Sequence, residues 1–313
     1  MSILRLAGKP AHHGQPLSSN VRPHRTRLRG SNRRDQQMDQ KPSDSLRWQA
    51  GYLEKHAAEQ SKYLEAVAAS AFLAQTAENA YALLNLKLGQ HVIEVGCGSG
   101  VFLPGLANRI GSEGRVTAID HSPALVDEAQ KRMAGSTTKV SVQVADAYKL
   151  PFPTGSFDAA HCERVLMHLE DPSAAVREMA RVVRPGGIVV AAEPDWIGIR
   201  FDHPDPEAFE LVYRRALRFK QSDVGITLLR RFNEVGLVDR RFMPVTSVFT
   251  DFAAARMFGL QLETAVQELV AEGAMPQHRL AAVVPALDAA SANHSFYSIA
   301  TMHVVSGVVA RGG

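Results

Sequence analysis

The chain has 313 residues, 45% hydrophobic and 21% charged, enough apolar mass to bury a sizeable core as one large domain or as one domain with an elaboration. No apolar run approaches the roughly 18 residues a membrane-spanning helix needs, so no membrane span is expected and the chain reads as soluble. Two cysteines, Cys97 and Cys162, make neither a disulfide framework nor a zinc set, so no metal site is expected and a reducing, cytoplasmic setting fits.

The formal charge of +3 hides an asymmetry. Residues 1–34 carry eight positive side chains and no acid, which leaves the remainder at about −5. An Arg-rich, acid-free segment has the composition of a nucleic-acid-binding arm or a transit peptide. Its prolines and few large apolar residues fit a disordered basic tail over 1–42, and Met38 offers an alternative start. From Ser43 to Leu86, Leu53, Ala57, Leu64, Val67, Phe72 and Leu73 recur at intervals of three and four, which predicts two helices. Trp48, Tyr52 and Tyr63 on them either close over a ligand or serve as packing.

His91–Gly100 reads HVIEVGCGSG: a buried strand over Val92–Val95 breaking into a turn with Gly96, Gly98 and Gly100. Glycines there can take positive φ and let a ligand approach the backbone. Val101–Ile110 has helical spacing, so the turn's amides would point at a ligand above the helix start. Strand, glycine turn and helix form half of a nucleotide-binding unit, although a bare structural turn has the same composition.

Arg115–Asp120 (RVTAID) is a second apolar strand ending in an acid, placed where a carboxylate can accept from both hydroxyls of a ribose. Ser122 as N-cap and Pro123 at the first helical position open the next helix. Lys139–Val144 is a strand delivering Asp146 and Ala147. Phe157–Cys162 is a fourth strand, Ser173–Val183 a helix, and Arg184–Gly187 a sharp turn into a strand over Ile188–Ala192. Arg241–Phe249 and Tyr297–Ala310 are expected to close the sheet as antiparallel strands. Strands alternating with helices predict an α/β fold with a doubly wound sheet and ligands at the carboxyl ends of its strands.

The motifs EVGCGSG, VTAIDHS, VADAYKLPFPTGSFD, CERVLMHLEDP and VVRPGG together resemble the class I S-adenosylmethionine-dependent methyltransferases, in particular the small-molecule branch that includes ubiquinone, menaquinone and natural-product methyltransferases. The resemblance covers about Leu86 to Ala192, with a weaker echo in Leu228–Leu237. It implies a Rossmann-like, doubly wound, seven-stranded sheet, mostly parallel with an antiparallel closing strand. Over 87–313 this methyltransferase domain would carry helical substrate-lid insertions at about 195–224 and 252–293, and the helices of 43–86 would close over the site. It also implies S-adenosyl-L-methionine as cofactor. Glu94 and the Gly96, Cys97, Gly98 and Gly100 turn would hold its methionine part, with Glu163 and Arg164 near the methyl group. Asp120 would take the ribose, with His121 beside the adenine, and Asp146 and the Ala147 amide would read the adenine edge.

Methyl transfer is an in-line displacement that mainly requires alignment and exclusion of water, and a base only for a weakly acidic acceptor. His168 stands where relatives that methylate sugar hydroxyls place the second of two histidines, the first position here being Met167. Glu193, or else Asp195, would orient it. Simple packing of His168 and capping by Glu193 form the other reading. Aromatic and methionine residues of the insertions, including Trp196, Phe209, Phe219, Met257 and Phe258, suggest an apolar or aromatic small-molecule acceptor. No nucleic-acid partner is expected, and a homodimer is compatible with the chain. The competing readings are an NAD(P)-dependent oxidoreductase, against which the GxGxG turn stands, and the same fold acting on RNA or protein or lacking transfer activity.

Overall fold

The computed structural model describes residues 50–311 apart from Met257 and Gly259, with side chains from residue 55 onward. The basic tail, the alternative start at Met38, Trp48, the side chain of Tyr52 and Met257 lie outside the described residues.

Five strands run parallel: β1 (His91–Val95), β2 (Arg115–Asp120), β3 (Lys139–Val144), β4 (Phe157–Glu163) and β5 (Val183–Pro194), in the order β3-β2-β1-β4-β5. Val92, Ile93, Val116, Ala118, Ala160, Val189 and Val190 are buried, the near-continuous apolar character of strands covered on both faces. β8 (Ser298–Val308) pairs antiparallel with β5, with β7 (Val238–Phe249) and with the two-residue β6 (Arg200–Phe201). Since β5 and β7 both oppose β8, β7 runs with the first five strands. The antiparallel direction expected for both closing strands therefore holds for β8 alone. Among the described residues the sheet has eight strands, the seven expected plus β6 from the first insertion.

The helices begin where the sequence supplies caps. After α1 (Ala50–Ala68), α2 (Ala71–Leu84) starts at Ser70, whose hydroxyl accepts from the Leu73 amide. α3 spans Leu103–Ile110. α4 (Pro123–Met133), α5 (Pro172–Val182) and α6 (Pro206–Ala216) share one device: Ser122, Asp171 or Asp205 caps the amide three residues on, and proline follows at the first helical position, where no amide donor is needed. α7 (Val224–Glu234), α8 (Phe252–Arg256), α9 (Leu262–Glu272) and α10 (Gln277–Ala292) complete the described helices.

The turn expected at Arg184–Gly187 is an excursion inside β5. Val183 pairs with Phe157 and Ile188 with Ala159, so four residues of β5 stand against one of β4, while Gly186 and Gly187 stay hydrogen-bonded to Val309 on the other side. A Cβ on Gly187 would lie 2.5 Å from the Asp158 carbonyl oxygen, which explains a glycine at the return.

Strand order reverses at β1, with β2 on one side and β4 on the other. The crevice at such a switch point opens at the carboxyl ends of the strands, here Val95, Asp120 and Glu163.

Candidate active site

A cavity of about 490 Å³ lies over these strand ends. Its floor is the glycine turn. Gly96 and Gly98 adopt φ of 74° and 53°, and a Cβ on Gly96 would meet a methyl of Val165 at 2.4 Å. Both glycines and Cys97 line the cavity. The turn's donors, however, are turned inward: the Gly96 and Cys97 amides donate to the Ile119 carbonyl, Gly98 to Asp120 Oδ2 at 2.8 Å and Gly100 to the Cys97 carbonyl. The expectation that these amides face a ligand is thus corrected for four of the turn's residues. Gly100 does not line the cavity; a Cβ there would sit 3.0 Å from Ala129 of α4, so it serves close helix packing instead of ligand approach.

Asp120 ends β2 beside the turn, buried and facing the cavity. Its Oδ1 accepts from the Ser122 amide at 3.0 Å and lies 3.2 Å from His121 Nδ1. A carboxylate has about four acceptor sites, which leaves capacity for a ligand hydroxyl. His121, Asp146 and Ala147 follow along the same rim, and Asp146 Oδ1 accepts from the Tyr148 amide at 2.8 Å.

Glu94 lines the floor, but its Oε2 is bound to His161 Nδ1 at 2.6 Å, both side chains buried. The two are register partners on β1 and β4. Burial opposes a charge on His161, yet the Glu94 carboxylate, with help from Glu163 and Glu193, outweighs it and raises the imidazole pKa. Glu163 is sealed from solvent at the end of β4, and neither of its oxygens has a hydrogen-bond partner. Burial lifts its pKa to about 7, against the pull of Arg164 and His161. Arg164 also lines the cavity, in a left-handed conformation (φ 57°) uncommon for a side chain of its size.

His168 closes a short 3₁₀ turn (Leu166–His168) on the cavity wall, its ring 5.8 Å from that of Phe219. Burial, reinforced by Arg164 and His121, pushes its pKa down to about 3. Glu193 is fully buried away from the cavity lining, and its carboxylate is spent on this turn's backbone, accepting from the amides of Val165 (2.8 Å), Leu166 (2.7 Å) and Met167 (3.4 Å). Asp195 Oδ1 accepts from the Gly198 amide. Glu193 holds the turn that carries His168, and Asp195 closes the next one.

The remaining wall is apolar. Trp196 stacks on Phe219 at 4.5 Å, and its indole donates to Met167 Sδ at 3.2 Å. Tyr63 and Leu64 of α1, Phe72 and Leu73 of α2, Ile199, Phe258 and Met302 face the same space. α1 is held near the turn through Arg132, which donates to the Ser99 carbonyl and pairs with Glu65. Sequence reasoning missed His161; the signal was a histidine in the middle of the short strand run FDAAHCE, two residues before Glu163.

Residues 93–191 match the family model described as a methyltransferase domain. The chain is 36% identical over 196 residues to a 37.1 kDa protein in transposon TN4556 of Streptomyces fradiae, covering 62% of this chain and 56% of that one. It is 41% identical over 100 residues to a ubiquinone biosynthesis O-methyltransferase of Xanthomonas oryzae pv. oryzae, 32% of this chain and 41% of the relative. The chain thus spans about half the length of these relatives. The fold is shared with the YcgJ protein of Bacillus subtilis, at 17% identity and a TM-score of 0.53 over 76% of this chain and 99% of that one. The stretch similar to a methyltransferase domain, residues 93–191, thus runs from β1 into β5 and includes the glycine turn, Asp120, Asp146 and Glu163 of the cavity.

Proposed function

We propose that the chain transfers the methyl group of S-adenosylmethionine to a small-molecule acceptor, apolar or aromatic, such as a quinone-like compound or secondary metabolite. The observation that carries this reading is the polarity of the floor. The glycine-turn amides are closed on the protein, while the acidic residues Glu94, Asp120, Asp146 and Glu163 are among those lining the cavity. A pyrophosphate needs free amides at a helix start; a phosphate-free nucleoside with a cationic tail suits carboxylates. This also supports the reading over a nicotinamide oxidoreductase.

The residues fit the cofactor. Asp120 would hold the ribose hydroxyls, His121, Asp146 and Ala147 the adenine end, and Gly96, Cys97, Gly98 and Glu163 the methionine end, with Glu94 acting on it through the floor. When bound, S-adenosylmethionine supplies a methyl group activated on a sulfonium.

The chain's own work is alignment and exclusion of water. The Trp196–Phe219 stack, Met167 and Phe258 offer a flat apolar wall to an acceptor ring. α1, α2 and the insertions close over it. His168, with a pKa near 3, is a neutral imidazole at physiological pH. It orients an acceptor by hydrogen bonding and does not serve as an efficient base, so the reading favours acceptors that are already acidic, such as phenols.

Calorimetric titration with S-adenosylmethionine and NAD, followed by transfer of a labelled methyl group to a panel of phenols, quinols and aromatic metabolites, tests this reading. Binding of S-adenosylmethionine and label on a panel member are expected. Binding of NAD alone, or label only on added RNA or protein, overturns it.

A further inference from the structure

Glu163 is unusual among the acids of the cavity. Asp120 and Asp146 accept hydrogen bonds and Glu94 is bonded to His161, but both oxygens of Glu163 are sealed from solvent without a partner. Arg164 Nε stands 3.8 Å from Oε1, an ion pair beyond hydrogen-bond reach, and donates no hydrogen bond of its own. The charged and titratable groups around it are His161 and Cys162 on β4, Arg164 just past its end, Glu94 on β1 and Tyr81 on α2. An ionised carboxylate in such a place has the Arg164 charge nearby but no hydrogen-bond donor, so burial still favours the protonated form and a further positive charge would favour ionisation.

S-adenosylmethionine and its demethylated product share every group except one: the former carries a sulfonium cation where the latter has a neutral thioether. Resting on the reading of this cavity as the cofactor site, we propose that Glu163 discriminates between the two by its proton. Below about pH 7 the carboxyl keeps its proton in the empty and product-bound states, and it ionises when the sulfonium enters. The O–H bond breaks heterolytically, the electron pair stays on the carboxylate and the proton passes to solvent. After methyl transfer removes the positive charge, the proton returns and the attraction for the product is lost. Burial holds the Glu163 pKa at about 7, so a modest local field suffices to flip it near neutral pH. The residue thereby opposes product inhibition without touching the transferred methyl.

The test is isothermal titration calorimetry of the full chain with S-adenosylmethionine and, separately, S-adenosylhomocysteine, at several pH values and in buffers of different ionisation enthalpy. The expected result is proton release on binding the methylated cofactor only, and an affinity ratio of cofactor to product that rises about tenfold from pH 6 to pH 8, one unit of coupled pKa shift being tenfold. In Glu163→Gln the proton release and the pH dependence of the ratio disappear. The wild-type measurement stands alone if that variant does not fold. Equal proton release for both ligands, or none for either, overturns the inference while leaving the cofactor reading intact. Failure of either ligand to bind overturns both.

Discussion

Asp120 Oδ2 accepts the Gly98 amide at 2.8 Å, so the end of β2 directly braces the turn that follows β1. One carboxylate fixes the floor and offers its remaining acceptor capacity to the cavity. Asp120→Asn places an amide group against donors at both oxygen positions, the Gly98 and Ser122 amides. At least one bond is lost, at a cost of about 1–3 kcal/mol. We expect a lower Tm without ligand and at least tenfold weaker cofactor binding, measured by thermal unfolding and titration. Unchanged values for both would remove Asp120 from either role.

Gly96 and Gly89 form a matched pair for separating backbone strain from steric overlap. Both have positive φ, but a Cβ on Gly89 meets nothing within 4 Å whereas one on Gly96 meets Val165 at 2.4 Å. Gly89→Ala should cost about 1 kcal/mol for the left-handed backbone alone. Gly96→Ala adds overpacking of about 1–3 kcal/mol and should abolish cofactor binding. Adding Val165→Ala should recover part of the stability. Equal destabilisation at the two sites would contradict this account.

Glu163 makes stability fall with rising pH. Its folded pKa is about 7 against an ordinary 4.5, so the folded state holds a proton that the unfolded state has released. The contribution is fully present below pH 4.5 and lost as pH climbs towards 7. His161, raised by its environment, acts in the same direction. For Glu163 the loss amounts to about 3 kcal/mol, 1.36 kcal/mol per unit. Denaturant titrations of the ligand-free chain at pH 5 and pH 8 should show a loss about 2–3 kcal/mol smaller in Glu163→Gln. Parallel losses in the two proteins would contradict the assignment.

Glu193 and His168 should separate in mutants. Glu193→Ala leaves buried amides of the 3₁₀ turn without an acceptor, so stability should drop by about 3 kcal/mol or more, and acceptor KM should rise with the loosened turn. His168→Ala should cost less than Glu193→Ala, about 1–2 kcal/mol. It should lower kcat/KM by less than the roughly hundredfold of a lost general base, with the pH profile between 6 and 8 unchanged. An inflection in that range that vanishes in the mutant would restore the base role.

The sequence displayed what is local. Ser122 followed by proline at α4, the glycine turn and the acid closing β2 each depend on neighbours within a few residues. What stayed hidden depends on register. Glu94 meets His161 only because β1 and β4 pair with no offset between those two positions. Glu193 finds its amides nearly thirty residues away across β5 and the 3₁₀ turn. Gly100 read as a ligand glycine because its reason, Ala129 of α4, lies on another element. The Arg184–Gly187 turn became an excursion because sheet pairing on both sides outweighs the break that proline and glycine suggest.

The Trp196–Phe219 stack also gives this chain a built-in optical probe. The sequence contains two tryptophans, Trp48 and Trp196. In a Trp48→Phe background the whole indole emission comes from one ring, 95% buried, lining the cavity and resting on Phe219. An aromatic acceptor sliding against that stack would change the emission wavelength and intensity directly, so candidate acceptors can be ranked by fluorescence before any turnover is measured.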